Sequence, residues 1–226
     1  MKSQHSTRSQ TKAEVGASGR PAPVAGNGSG KGEAHRRLLA AAQTCLHQGG
    51  YGQFSIRRVA DLAGMPLSQI AYHFGSKQGL ILALLAKENE RVLDRQLTTF
   101  AEPMPLSQRW ERACDYLDED LKSGYVRVLQ EMIAVGWSDP EIAAAVRGNL
   151  RGWYDLLTGL ADEADRRFGG LGPFTAAEIA CLVGNVFIGS EALILLGLED
   201  PSIPARQALR KFAVLVRFME DGEARD

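Results

Sequence analysis

Four consecutive residues, Pro66, Leu67, Ser68 and Gln69, combine the side-chain types that can read the edge of a base. An amide such as Gln69 can pair bidentately with adenine. A hydroxyl such as Ser68 donates or accepts, and an aliphatic chain such as Leu67 can rest on a thymine methyl. Groups suited to phosphate stand on both sides: Ser55, Arg57 and Arg58 before, and Tyr72, His73 and Lys77 after. Phosphate contacts position a protein on a duplex, whereas base contacts carry the sequence information. Each flanking group also has a plainer reading. Tyr72 can be a packed ring with its hydroxyl outward, His73 a packed histidine, and Arg57 and Arg58 solvated cations.

These residues need rigid elements to hold them, and the surrounding pattern supplies them. Ser55 is placed to cap a short helix with Ile56, Val59, Ala60 and Ala63 on its inner stripe and Arg57, Arg58 and Asp61 outward. Gly64 takes the turn, because glycine adopts a positive φ at little cost. Pro66 fixes the entry to a second short helix ending near Phe74. Gly75 and Ser76 then break the chain, and Ser76 can cap a long helix over residues 77–100. Upstream, Leu38, Leu39, Ala42, Cys45 and Leu46 recur at helical spacing in a helix expected to begin near Glu33 and to stop at Gly49-Gly50. The predicted unit is a helix-turn-helix, whose second helix presents its N-terminal residues to the major groove. Lys77, at the start of the long helix, adds an ammonium to a helix N-terminus, and both favour a phosphate.

The series Ser55-Ile56, Val59-Ala60, Ala63-Gly64-Met65, Ile70, Tyr72-His73-Phe74, Lys77 and Leu80 resembles the DNA-binding domain of the TetR family of transcriptional regulators, over residues 33–85. The resemblance implies a homodimer joined through its last two helices, and a helical body whose ligand lowers DNA affinity by favouring a wider spacing of the two reading heads. It also implies a repressor rather than an activator. Two departures bear on DNA contact. Ala71 stands where many members have an aromatic residue, which removes one backbone contact. Pro66 and Leu67 replace more polar residues, which shifts base discrimination toward Gln69, Ser68 and DNA shape.

The remainder reads as helical throughout, at about residues 106–122, 125–137, 140–168, 175–198 and 204–220, with Gly and Pro clusters at the joints. The fold class is therefore all-α with about nine helices, an N-terminal three-helix DNA-binding domain and a C-terminal helical ligand-binding and dimerisation domain. The domains expected are a disordered basic tail over 1–32, the helix-turn-helix domain over 33–85 and the effector-binding and dimerisation domain over 86–226. The tail is either a plain leader or an arm that adds nonspecific phosphate attraction.

Trp110, Tyr116, Tyr125, Met132, Trp137, Trp153 and Tyr154 are candidates to line an apolar pocket with polar tips, or else form an ordinary aromatic core. Ile179, Val183, Phe187, Leu209, Phe212 and Val216 are the candidate dimer interface, with Phe187 and Phe212 as either interface or adjacent core. All four histidines precede the body, which excludes a His-based metal site there, and the acidic run Asp115, Asp118, Glu119, Asp120 reads as a solvated face. No cofactor or metal is implied.

Charge divides the chain. Up to Leu80 there are ten Lys and Arg against three acids, a balance of +7, which within a total of −1 leaves −8 for the rest. A basic head suits phosphate and an acidic body does not. The cysteines Cys45, Cys114 and Cys181 are dispersed and read as buried thiols of a reducing cytosol. The run over 179–198 falls short of a membrane span because Asn185 and Glu191 interrupt it. No nucleophile motif, zinc-protease motif or phosphate-cradling loop is present, so an enzyme is not expected. The expected function is a cytoplasmic, nucleoid-associated, ligand-responsive regulator, released from a palindromic operator by a small, largely apolar effector. The alternative is an activator or a DNA-binding protein that senses no ligand.

Overall fold

The computed structural model describes residues 27–223, with side chains from 30 to 222. Among these residues there are nine helices and no strand: α1 (Asn27–Gly49), α2 (Ile56–Ala63), α3 (Ser68–Phe74), α4 (Lys77–Phe100), α5 (Leu106–Ser123), α6 (Tyr125–Gly136), α7 (Pro140–Phe168), α8 (Ala176–Leu195) and α9 (Ala205–Glu223). The tail expected over 1–32 lies outside the described residues as far as residue 26. From Asn27 the chain is already helical, earlier than the expected start at Glu33. Once the row Leu38, Leu39, Ala42, Cys45 and Leu46 is anchored in the core, each further residue adds a backbone bond at propagation cost only.

The head is α1 to α3. Val59, Ala60 and Ala63 of α2 and Ile70 of α3 are buried with the α1 row, as the spacing predicted. Gly64 closes α2 in the left-handed conformation (φ 60°, ψ 42°), a turn that a side chain would strain. Arg37 of α1 locks this corner by donating from Nη2 to the Ala63 carbonyl at 2.5 Å. Ser55 sits at the N-cap of α2 with extended backbone, but its side chain makes no capping bond. Ser76 does cap α4, accepting from the Gly79 amide at 2.9 Å.

α4 runs unbroken from the head into the body, so the division expected at residues 85/86 falls inside one helix. In the body α7 packs on α8, α5 on α9 and α6 on α7. α7 starts at Asp139, whose carboxylate accepts from the Glu141 and Ile142 amides, and α8 starts at a capping box between Thr175 and Glu178. α8 ends at Leu195 rather than 198, because Gly197 turns left-handed and the amides of Leu196 and Leu198 bond back to Ala192 and Leu193. By length and composition α8 could cross a membrane (mean hydropathy 1.7), contrary to the expectation for this run. In the fold one side of it packs on α7, where Gly184 lets the two helices approach: a Cβ there would stand 2.4 Å from the Tyr154 ring.

The acidic run of α5 is a solvated face only in part: the Glu119 and Asp115 side chains stay 60 and 45 % exposed. Asp115 and Asp118 pair with Arg210 of α9 at 2.9 and 2.8 Å, Asp118 also with Arg206 at 3.0 Å, and Asp120 is buried against α4. The run is the polar seam that docks α5 onto its neighbours. Cys45 and Cys114 are buried, and burial pushes the Cys114 thiol up to about 11, whereas Cys181 is exposed.

Candidate functional site

α3 stands out from the head with its N-terminal end uncovered. Pro66, Leu67 and Ser68 are exposed and Gln69 is half-buried. Leu67 is 41 % exposed and lies outside the buried core cluster. Ile70 alone of α3 is fully buried, so one side chain roots the helix while its neighbours project. Ala71 is exposed and adds nothing beyond a methyl.

Around this end the expected phosphate groups divide. Ser55 and Arg57 are exposed, and Arg58 is exposed but bound through Nη2 to the Gln48 carboxamide at 2.6 Å. Tyr72 is 64 % exposed, which leaves no room for the packed alternative. Lys31 of α1 sits over its ring at 5.0 Å, so a residue assigned to the tail joins this surface. His73 is half-buried in an aromatic row with His35, Phe74 and Tyr72. Burial, with help from His73 and Lys87, holds His35 below the usual histidine range. Lys77 rests its ammonium over Tyr51 at 4.8 Å and Phe54 at 5.5 Å, at the foot of α4 rather than free in solvent. Nine of the ten residues thus lie on or beside the exposed side of α2 and α3, with Lys77 drawn back toward the α1–α2 link.

A second feature lies in the body. A cavity of about 80 Å³ opens between α4, α5, α6, α7 and α8. On the same measure one water needs about 10–15 Å³, so there is room for several waters or a small organic molecule. Its apolar wall includes Val92, Leu117, Val126, Leu129, Trp153 and Phe187, and its polar groups are Asn89, Gln96, Asp120, Tyr125, Asn149 and Glu191. Of the candidate pocket residues, Tyr125 and Trp153 line it. The other five do not. Trp110 packs between Phe187 and Phe212 and donates to the Leu209 carbonyl. Tyr116 bonds Thr99 beneath the Arg95 guanidinium. Met132 is fully buried in the core, Trp137 is 84 % exposed, and Tyr154 is turned onto Gly184 and Asn185 of α8. Aromatic type carries no information on which face of a helix meets the void, and nothing in the sequence marks Gln96 or Asn149 as a cavity residue. Glu191 had one sequence signal: a charge inside an apolar run.

Of the candidate interface residues, Phe187 and Leu209 are buried inside the chain, where no partner could reach them. They face inward because their helical spacing points them at α5 and α7. Ile179, Val183 and Val216 are half-buried, and Phe212 is exposed. Large exposed apolar groups gather on α8 (Leu182, Val186) and α9 (Phe212, Val214, Leu215, Phe218, Met219), two helices that pack together.

Residues 38–84 match the family model of the bacterial regulatory proteins, tetR family. The chain is 26 % identical over 117 residues to the HTH-type transcriptional regulator UidR of Escherichia coli (strain K12), a match that takes in 49 % of this chain and 56 % of UidR. It therefore spans little more than half the length of that curated relative. Among solved structures, a transcriptional regulator from Saccharomonospora viridis in complex with choline is similar at a TM-score of 0.71, with 23 % identity, over 80 % of this chain and 95 % of that one. FadR of Bacillus subtilis in complex with stearoyl-CoA gives 0.65, with 13 % identity, over 80 % and 97 %. A TetR-family regulator from Rhodococcus sp. gives 0.67, with 18 % identity, over 82 % and 98 %. The fold and the head define the class: an all-α protein with an N-terminal helix-turn-helix. Over residues 38–84 the chain is similar to the bacterial regulatory proteins of the tetR family, and over about four fifths of its length it shares the fold of these solved regulators.

Proposed function

We propose that this protein is a ligand-responsive transcriptional regulator that holds a palindromic operator as a homodimer in the cytoplasm, at the nucleoid. Its action is repression, relieved when a small and largely apolar effector enters the body cavity. The observation that carries the reading is the uncovered N-terminal end of α3, with Leu67, Ser68 and Gln69 projecting from a helix rooted by Ile70. The exposed apolar strips on α8 and α9 support pairing, and pairing would set two reading heads at half-site spacing. The cavity supports sensing, and relatives of this fold hold choline in one case and stearoyl-CoA in another.

α6 offers a route between the two features. It carries Tyr125, Val126 and Leu129 at the cavity, and two residues beyond Leu129 it carries Glu131, whose carboxylate accepts the Tyr51 amide of the α1–α2 link at 2.6 Å. A ligand that repositions α6 would act on the head through that bond. The test is a selection from random duplex DNA with purified protein. Enrichment of a sequence with two inverted half-sites is expected, and failure to enrich any sequence overturns the reading.

A further inference from the structure

The cavity has an uneven charge pattern. Its lining holds two carboxylates, Asp120 and Glu191, and no Lys, Arg or His. Asp120 is already neutralised from outside the cavity by Arg91 at 3.3 Å and Arg95 at 2.6 Å. Glu191 is not. Its carboxylate accepts from Gln130 Nε2 at 2.8 Å, and among the described residues it enters no ion pair. It keeps some accessible surface because it faces the cavity, yet it sits deep in the protein, and desolvation pushes its carboxyl up to about 7. An uncompensated carboxylate is an expensive group to place in an otherwise apolar helix.

A second acceptor points the same way. Gln96 is 8 % exposed, lines the same cavity, and its Oε1 is buried with no hydrogen-bond partner. Buried polar atoms in folded proteins are nearly always satisfied. A carboxylate and an amide oxygen are both acceptors, so a ligand satisfies them only by bringing donors. Asn149 Nδ2, an amide donor, also lacks a partner. The walls are partly aromatic: Trp153 stands edge-on to Phe187 with centroids 6.1 Å apart, and Tyr125 and Phe100 add two more rings. Such faces accommodate both an apolar body and a cation.

We propose that the ligand class of this cavity is a small organic ammonium ion, a protonated amine whose N–H groups are accepted by Glu191 and Gln96 while its apolar body lies against Trp153 and Phe187. The assignment rests on the reading of the cavity as the effector site. Carboxylate ligands are excluded by the same charge pattern, since they would set an anion against Glu191.

Calorimetry on the full chain at about pH 8 tests it with three probes of one shape: 2-phenylethylamine, 2-phenylethanol and phenylacetate. The amine is expected to bind about tenfold or more tighter than the alcohol, the gain of a charge-assisted hydrogen bond, and phenylacetate more weakly than either. Glu191→Gln should bring the amine to the level of the alcohol and leave the alcohol unchanged. Thermal melting of that variant checks that it is folded. Equal binding of amine and alcohol, a preference for phenylacetate, no binding of the amine at millimolar concentration, or an amine preference that survives Glu191→Gln overturns the assignment. DNA selection with the same preparation separates the two levels. Enrichment of an operator without an amine preference removes the ligand class alone, and no enrichment removes the regulatory reading beneath it.

Discussion

Gln69 is the side chain at the head of α3 with the most hydrogen-bonding capacity for a base edge, because Pro66 and Leu67 offer none. Gln69→Ala should therefore cost about 1–3 kcal/mol at one operator position while leaving phosphate-driven affinity largely in place. Competition between the selected operator and its single-position variants measures this, and an unchanged preference would remove Gln69 from the readout. Glu191 makes a different prediction, on stability. Its carboxyl is raised to about 7 in the folded chain by burial, against an ordinary value of 4.5. The folded state then binds more protons than the unfolded state between those values, so stability is fully present at about pH 4.5 and is lost as pH rises through about 7. The amount is on the order of 3 kcal/mol at most. Urea midpoints at about pH 5 and pH 8 should differ for the wild type in that direction, and the difference should shrink in Glu191→Gln.

At the scale of elements, one bond sets where α4 leaves the head and another ties the head to the body. The Ser76 cap fixes where α4 begins, and Ser76→Ala should lower stability by about 1 kcal/mol in denaturant titration. Glu131 of α6 accepts the Tyr51 amide, and the Cβ stem of a Gly50 substitution would collide with the same carboxylate at 2.6 Å. Glu131→Ala leaves that amide without its acceptor, so a loss of about 1–3 kcal/mol is expected, with faster hydrogen exchange at Tyr51 than in the wild type. Unchanged exchange at Tyr51 would mean that the bond does not hold the joint. Most element boundaries were legible, since Gly64, Gly75, Gly124 and the Asp139-Pro140 pair punctuate the chain as their backbone chemistry requires. The start of α1 and the end of α8 were not. The first depends on propagation from a distant anchor, and the second on which of several glycines turns left-handed.

For the whole molecule, the exposed apolar strips of α8 and α9 should be covered by a second copy. Leu182, Val186, Leu215 and Phe218 are between 51 and 68 % exposed, an unusual concentration of large apolar groups on two adjacent helices. Light scattering at micromolar concentration should give a dimer for the wild type and a monomer for Phe218→Glu. DNA affinity should fall with it, because one head meets only one half-site. A wild-type monomer would overturn the interface. Phe187→Glu differs: Phe187 is internal, so the variant should lose folded stability rather than dimerisation alone.

The sequence by itself determined the helix-turn-helix, its stripe of Val59, Ala60, Ala63 and Ile70, and the residues that project from it. Those follow from local rules: helical period and a glycine at a positive φ, both acting within a few residues. Tertiary structure decided what depends on the packing of distant helices. It turned the acidic run of α5 into a seam with Arg206 and Arg210, and it sent Phe187 and Leu209 inward while leaving Leu182 and Phe218 outside. It also gathered Gln96, Tyr125, Trp153 and Glu191 from four helices around one cavity. Periodicity says that a helix has an apolar face. It cannot say whether that face meets the chain's own core, a void or another molecule, because that choice is made by elements 30 to 100 residues away, as between Trp110 of α5 and Leu209 of α9, which lie 99 residues apart in sequence.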